Sequence, residues 1–140
     1  MTMNRRTLML TGAAAMILPA LPAAAAPLEY SDGLVDKHLA AGDTVFLDFK
    51  ASWCGTCRRQ ERVINALKAE NAAYAQNVVF INVDWDLHKN ATLTQMLEVP
   101  RRSTLIVLKG DDELGRIVAD TSEDAIKGLM DTALSAATPA

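Results

Sequence analysis

Short apolar runs alternate with amphipathic stretches along most of this chain. Apolar runs of five to seven residues predict strands, which we place at 44–50, 78–84, 104–109 and 115–119. Apolar positions that recur every three or four residues predict helices, which we place at 31–41, 54–71, 90–97 and 122–136. A Gly-Asp-Asp turn between the last two strands predicts a hairpin. This order of elements predicts an α/β domain with a central sheet of about four strands.

The N-terminal residues follow a different pattern. Arg5 and Arg6 precede an uncharged stretch, Leu8 to Ala26, that ends in small residues. A basic start, an apolar middle and a small-residue end are the three parts of a secretory signal peptide, with cleavage expected after Ala25. The adjacent arginines also resemble a twin-arginine signal. The alternative is an uncleaved membrane anchor, which the prolines and alanines of this stretch disfavour.

We therefore expect a signal peptide at residues 1–25, one domain at residues 26–140 and a periplasmic location, where disulfides persist. Once Arg5 and Arg6 are removed, 12 basic residues remain against 17 acidic residues. A partner that is a nucleic acid would require a basic surface field, so no nucleic acid is expected as a partner. Composition leaves the oligomeric state open.

The two cysteines, Cys54 and Cys57, lie where a predicted strand gives way to a predicted helix. A disulfide between them would close too small a loop to stabilise the fold much, so their chemistry is the better explanation. A thiolate at a helix N-terminus meets free N–H groups and the positive end of the helix dipole, which lower its pKa. The second sulfur of such a pair can resolve a mixed disulfide formed by the first.

Two other interpretations of the cysteine pair stay open. The pair could form half of a zinc site, but His38 and His88 are the only histidines and they show no matching spacing. It could also be a buried pair with no role. The strand-to-helix context and the predicted export favour a redox dithiol over both.

From Thr44 to Leu134 the sequence resembles the thioredoxin family. The segment 47–57 reads L-D-F-K-A-S-W-C-G-T-C, with an acid six residues before the first cysteine and a tryptophan just before it. The predicted strands after it also fall where the family has strands. The resemblance implies a thioredoxin-like α/β fold, with a central mixed sheet of about four strands flanked by helices. It also implies a thiol–disulfide oxidoreductase, closest to the exported branch of the family.

The same resemblance implies roles for individual residues. Cys54 matches the nucleophile, Cys57 the resolving cysteine, and Asp48 the buried acid that moves the proton of the resolving thiol. An aspartate inside an apolar strand should have a raised pKa, which suits proton transfer. The residues expected to surround the dithiol and bind substrate are Trp53, Gly55, Thr56, Arg58, Arg101, Arg102, Ser103 and Thr104.

Two positions depart from the family pattern. Lys50 stands where many thioredoxins have a second tryptophan. Ser103 stands where the family has a cis-proline beside the dithiol. A cis bond without proline costs about 3 kcal/mol, so we expect a trans bond before Ser103. We also expect the loop that normally holds the substrate backbone to be reshaped, and the sulfurs to be more open to a metal ion.

The loop before Ser103 carries Arg101 and Arg102. The expected fold brings them beside three arginines of the helix after Cys57, namely Arg58, Arg59 and Arg62. This cluster is either a solvated basic face or a patch that lowers the pKa of Cys54 and attracts an acidic partner.

The sequence thus predicts a periplasmic thiol–disulfide oxidoreductase that reduces partner disulfides through Cys54 and Cys57. We expect partners that are periplasmic proteins with thiols or disulfides, and a membrane electron donor or acceptor. We expect no cofactor and no metal beyond the redox-active disulfide. The alternative from another class is a module that binds or delivers copper or zinc through the same thiolates. A third hypothesis is an interaction module that only keeps the fold.

Overall fold

The computed structural model describes residues 26–139. The predicted signal peptide and its cleavage point lie outside the described residues. A five-stranded mixed sheet forms the centre of the described domain, in the order β1-β3-β2-β4-β5. Its strands are β1 Leu28–Glu29, β2 Thr44–Lys50, β3 Val79–Asp84, β4 Thr104–Lys109 and β5 Asp112–Val118. The helices are α1 Leu34–Ala40, α2 Gly55–Glu70, α3 Ala73–Asn77, α4 Trp85–His88, α5 Thr92–Met96 and α6 Glu123–Ala137.

The strand β2 occupies the middle of the sheet. It runs parallel to β3 and antiparallel to β4, while β1 pairs parallel with β3 and β5 pairs antiparallel with β4. All of its residues except Lys50 are buried, which accounts for the continuous apolar pattern of this segment. The confirmed architecture is therefore the thioredoxin-like α/β fold expected from the sequence.

Alternate side chains of β2 contribute to two separate cores. Phe46 packs with Ile64 of α2 and Met130 of α6 on one face of the sheet. Leu47 packs with Val35 of α1 on the other face. Because successive side chains of a strand point to opposite faces, Asp48 shares the face of Phe46 and lies under α2.

The sheet also places the segment that follows β2 beside the segment that precedes β4. In the antiparallel register Phe49 lies opposite Thr104, so the end of β2 and the start of β4 meet at one edge of the sheet. The cysteine segment continues from β2, and Ser103 immediately precedes β4. Two segments that are about fifty residues apart in sequence are therefore neighbours in space.

The boundaries differ from expectation at a few places. β1 was not predicted, because its two residues are both exposed and carry no apolar alternation. β5 begins at Asp112 rather than at 115, since its first residues are polar and exposed. The first helix begins at Leu34, after Gly33 with a φ of 82°, rather than at 31. No helix within residues 26–139 combines the length and the apolar character that crossing a membrane requires.

Candidate active site

Cys54 lies at the N-cap of α2. Its backbone is extended, and its sulfur accepts a hydrogen bond from the N–H of Cys57 at 3.1 Å. Gly55 and Thr56 form the first turn of the helix between the two cysteines. Cys54 and Cys57 are joined by a disulfide, with 5.3 Å between their Cα atoms. The first sulfur therefore lies where free helix N–H groups stabilise negative charge.

Both cysteines are buried. Cys54 is 3% exposed and Cys57 is 1% exposed, and both pack with Ala51 and the partly buried ring of Trp85. The sequence offered no signal for this contact, because Trp85 follows β3 and its position beside the cysteines depends on the tertiary fold.

Ser103 lies against both sulfurs. Its Oγ is 3.2 Å from Cys54 Sγ and 3.1 Å from Cys57 Sγ. The expected trans bond before Ser103 is present, since residues 26–139 contain no cis peptide. The expectation that the sulfurs would be more open to a metal ion stays a prediction. The Ser103 hydroxyl fills the space beside them, and Ser103 itself is fully buried.

The backbone of Ser103 is fully engaged inside the protein. Its N–H donates to the carbonyl of Phe49 at 2.7 Å, and its carbonyl accepts from the N–H of Ala119 at 2.9 Å. The amide of Gln60 also donates to this carbonyl, at 3.0 Å, and to the carbonyl of Asp120. Gln60 was not singled out from the sequence. Its spacing from Ile64 and Leu67 places Gln60 on the apolar face of α2, which signals a buried polar contact but does not identify its partners.

Trp53 forms an exposed cover beside the dithiol. It is 54% exposed, and its indole N–H donates to the carboxylate of Asp86 at 2.9 Å. The guanidinium of Arg102 stacks over its ring, 4.4 Å from the ring centroid. Cation–π contacts of this kind orient both side chains. Trp53 and Arg102 therefore form one surface next to the cysteines, held by Asp86 at the start of α4.

The other predicted surround residues have distinct local roles. Arg101 donates from Nε to the carbonyl of Arg102 at 3.1 Å, and Thr104 Oγ1 donates to the carbonyl of Arg101 at 2.7 Å. Arg58 donates to the carbonyl of Ser52 at 3.0 Å. These bonds stiffen the two loops that flank the dithiol. The two remaining arginines of the expected cluster, Arg59 and Arg62, are exposed on α2.

Asp48 is buried beneath α2, as expected. It is 6% exposed, and its Oδ1 has no hydrogen-bond partner among the described residues. The pKa of Asp48 is raised to about 7, chiefly because the carboxyl is buried and also because Glu61 lies near it, whereas Lys50 and Lys68 act in the opposite direction. The carboxyl is thus able to change protonation near neutral pH.

Two cavities extend from Asp48 and Cys57. The first is lined by Asp48 and Lys68, and the second, of about 310 Å³, is lined by Cys57 and Lys50. Glu61 lines both cavities and forms a salt bridge with Lys50 at 3.0 Å. The lysine that replaces the family's second tryptophan therefore contributes a charge to a polar cavity next to the resolving cysteine.

Neither histidine lies in this site. His38 pairs with Asp43 at 2.8 Å, and the ring of His88 packs edge-on against Tyr30. Across residues 26–139, no three side chains of His, Cys, Asp or Glu come together to hold a metal ion. Among the described residues, the donors at the dithiol are two thiolates and the Ser103 hydroxyl.

The sequence profile of the thioredoxin family matches residues 28–132. Thioredoxin H2-1 of Oryza sativa subsp. japonica is 34% identical over 110 residues, which cover 76% of this chain and 75% of the relative. The chain belongs to the thioredoxin family.

Other thioredoxins are similar over the same region. Thioredoxin H-type 1 of Nicotiana tabacum is 33% identical over 104 residues, covering 74% of this chain and 75% of the relative. The crystal structure of Trxlp from Edwardsiella tarda has a TM-score of 0.62 at 33% identity, covering 73% of this chain and 97% of that one. As a thioredoxin, the protein is a thiol–disulfide oxidoreductase with a Cys54/Cys57 pair, and its partners are proteins that bear thiols or disulfides.

Proposed function

We propose that this thioredoxin is an exported, periplasmic enzyme that reduces partner disulfides, with Cys54 as the nucleophile. The observation that carries the role of Cys54 is its position at the N-cap of α2, where its sulfur accepts the Cys57 N–H at 3.1 Å. A sulfur in this position gains more stabilisation as a thiolate than as a thiol, and the thiolate is the reactive form.

The reaction proceeds in two exchanges. The Cys54 thiolate attacks one sulfur of the partner disulfide, forms a mixed disulfide and releases the other partner sulfur as a thiolate. Cys57 then loses its proton and attacks the sulfur of Cys54. The Cys54–Cys57 disulfide forms, and the second partner sulfur leaves as a thiolate. Two electrons pass from the dithiol to the partner, so the chemistry requires no organic cofactor.

Asp48 is proposed to accept the proton of Cys57. Its pKa, raised by burial to about 7, suits exchange of a proton with a thiol. Glu61 lines both the Asp48 cavity and the Cys57 cavity, which supports a polar route between the carboxyl and the sulfur. Lys50 and Lys68 limit how far the pKa of Asp48 rises.

Docking of the partner is proposed to rely on side chains more than on the loop backbone. The N–H and carbonyl of Ser103 are engaged inside the protein, and the carbonyl of Arg102 accepts from Arg101. The stacked surface of Trp53 and Arg102 stays accessible next to the dithiol. This arrangement favours a partner with acidic or polarisable groups flanking its disulfide.

The proposed periplasmic location and the proposed direction of electron flow rest on features of the sequence. Arg5, Arg6 and the apolar stretch after them support export, and an oxidising compartment would supply disulfides to reduce. Gly55-Thr56 together with a buried Asp48 resembles reducing members of the family. A reductase in that compartment needs electrons from a donor across the membrane, so we propose a membrane protein as its redox partner.

Metal delivery is the weaker proposal for the same residues. The described residues offer a copper or zinc ion two thiolates and one hydroxyl, fewer protein ligands than a structural zinc site uses. We therefore propose redox exchange without a metal. Elemental analysis of freshly reduced protein tests this choice, since a stoichiometric ion released by changing both cysteines to serine would favour delivery.

Trapping identifies the nucleophile. We expect Cys57→Ser to accumulate a mixed disulfide between Cys54 and a disulfide-bearing peptide, because resolution is blocked. Cys54→Ser is the matched control and should form little adduct. Mass spectrometry of the trapped species decides the assignment: an adduct that forms faster on Cys57 of the Cys54→Ser variant than on Cys54 of the Cys57→Ser variant would reverse the two roles.

Two measurements test the direction of electron flow and the export of the protein. Equilibration of the mature protein in thiol–disulfide buffers should give a reduction potential below roughly −220 mV for a reductase. A value well above it would make the protein an oxidant or an isomerase. A reporter that is active only after export, fused after residue 25, should be active, and its loss on changing both Arg5 and Arg6 to Lys would assign the twin-arginine route.

A further inference from the structure

Ser103 is held in a costly conformation. Its φ is 64°, in the left-handed region that residues other than glycine rarely occupy. Three internal hydrogen bonds, with Phe49, Ala119 and Gln60, fix its backbone there. Strained residues that the surrounding structure over-determines are common at functional sites. The conformation of Ser103 directs its side chain at the disulfide.

The Ser103 hydroxyl is buried against the two reacting atoms. Its Oγ lies 3.2 Å from Cys54 Sγ and 3.1 Å from Cys57 Sγ, and no other hydrogen-bond partner of this oxygen is present in the described part of the chain. A sulfur in a disulfide is a weak acceptor, whereas a thiolate carries a full charge and accepts a strong hydrogen bond. The hydroxyl is therefore much better satisfied when the pair is reduced.

We propose that Ser103 is a catalytic residue whose hydroxyl donates a hydrogen bond to whichever of Cys54 and Cys57 carries the negative charge. The hydroxyl rotates about its C–O bond and reaches either sulfur without movement of the backbone. It thereby lowers the energy of both thiolates in turn and favours the dithiol over the disulfide. This inference rests on the proposed role of Cys54, and is independent of the compartment and of the direction of electron flow.

The hydrogen bond follows the charge through both exchanges. In the reduced protein the Ser103 O–H donates to the Cys54 thiolate, and the Cys57 thiol can donate to Ser103 Oγ. After Cys54 has bonded to the partner sulfur, the O–H turns to Cys57 and stabilises its thiolate once the Cys57 proton has left for Asp48. Cys57 then attacks Cys54 and expels the partner thiolate. Ser103 keeps its own proton throughout.

The decisive experiment compares wild type with Ser103→Ala. Alanine removes the oxygen and retains Cβ. Loss of a charge-assisted hydrogen bond should raise the pKa of Cys54 by about one unit, read from the pH dependence of thiolate absorbance and of iodoacetamide labelling. Labelling near pH 7 should slow several-fold. The redox equilibrium with glutathione should shift about tenfold toward the disulfide, which is a potential about 30 mV more negative.

Two further variants separate chemistry from structure. Ser103→Gly also lacks the hydroxyl but accepts the left-handed φ without strain, so it should share the shifts even if alanine destabilises the fold. Ser103→Thr retains a hydroxyl and should restore the pKa and the potential. Ser52→Ala removes an exposed hydroxyl beside the motif and should behave as wild type.

The outcomes are distinct. If labelling of wild type modifies Cys57 in preference to Cys54, the proposed nucleophile is wrong. If wild type reacts at Cys54 but Ser103→Ala and Ser103→Gly keep its pKa and potential, the role of Ser103 is refuted and the hydroxyl only packs. A matching shift in both variants, reversed by threonine, establishes the hydrogen bond to the thiolate.

Discussion

The carboxyl of Asp48 is a group that is costly to ionise in the folded protein. Burial raises its pKa from 3.8 to about 7, so the folded state holds a proton that the unfolded chain has already released between those pH values. The unfolded state therefore binds fewer protons across this window. The contribution of Asp48 to the free energy of unfolding therefore falls as pH rises from about 4 to about 7, and it stays low above pH 7.

Asp48→Asn should remove this pH dependence. Because asparagine is neutral at every pH, we expect the free energy of unfolding of the variant to exceed that of wild type by about 2–4 kcal/mol at pH 8 and by little at pH 4. Urea unfolding of the reduced proteins at several pH values measures it. Exchange with partner disulfides should slow at the same time, since the proposed proton acceptor of Cys57 is lost. A stability difference that does not vary with pH would contradict the raised pKa.

At the residue scale, functional residues could be predicted where they lie close together in the sequence. Cys54 and Cys57 follow an apolar strand, and Asp48 interrupts that strand, so both the dithiol and the buried acid were foreseen. The position of Ser103 against the sulfurs was not foreseen. It depends on a left-handed backbone and on bonds to Gln60 and Ala119, which are distant in sequence.

At the scale of elements, the buried strands were predicted more accurately than the short helices. The central strands β2 and β4 were placed at their observed bounds because they are buried on both faces and are mostly apolar, with Asp48 the one charged residue inside β2. The short helices α3 and α4 have five and four residues, too few for a helical period to be visible. Their positions are set by packing against the sheet and α6, which no local pattern encodes.

The helix α6 stabilises the fold by covering one face of the sheet. Ile126 is fully buried there, against the core that contains Phe46 and Leu105. We expect Ile126→Ala to cost about 2–5 kcal/mol in the free energy of unfolding, through lost burial and the cavity it leaves. Leu87→Ala, at a side chain that is 75% exposed, is the control and should change it by less than about 0.5 kcal/mol.

Denaturant unfolding with both variants measures this difference. The reduction potential of Ile126→Ala should stay near the wild-type value, because α6 has no contact with either sulfur among those described above. Equal losses of stability for Ile126→Ala and Leu87→Ala would mean that α6 is not held by this core.

At the scale of the whole molecule, charge is unevenly distributed. The chain without Arg5 and Arg6 has 12 basic and 17 acidic residues, yet Arg58 and Arg102 hold positions beside the dithiol. If these arginines act as a basic patch, we expect anions to be repelled by the protein on average but attracted at the dithiol. Attraction of this kind acts on association rates and weakens with salt.

The effect of this surface on the rate of reduction should therefore depend on the charge of the disulfide substrate. Arg101→Glu/Arg102→Glu should slow reduction of glutathione disulfide, which is anionic, by about tenfold at low ionic strength and leave cationic cystamine unaffected or faster. Loss of the Arg102–Trp53 stacking would alter both rates alike, so the ratio of the two rates isolates the electrostatic effect. That ratio should return toward the wild-type value at about 1 M salt, where screening acts within about 3 Å.

A matched charge reversal distinguishes local from global charge. Lys37→Glu/Lys109→Glu changes net charge by the same amount, but Lys109 is at the end of β4 away from Ser103 and Lys37 lies on α1. This variant should keep the wild-type ratio of rates, because the length of β4 separates Lys109 from Ser103 by about 20 Å, which is more than a Debye length at moderate salt. A ratio that falls equally in both variants would assign the effect to net charge. A ratio that is unchanged in Arg101→Glu/Arg102→Glu at every salt concentration would make the arginines an ordinary solvated face.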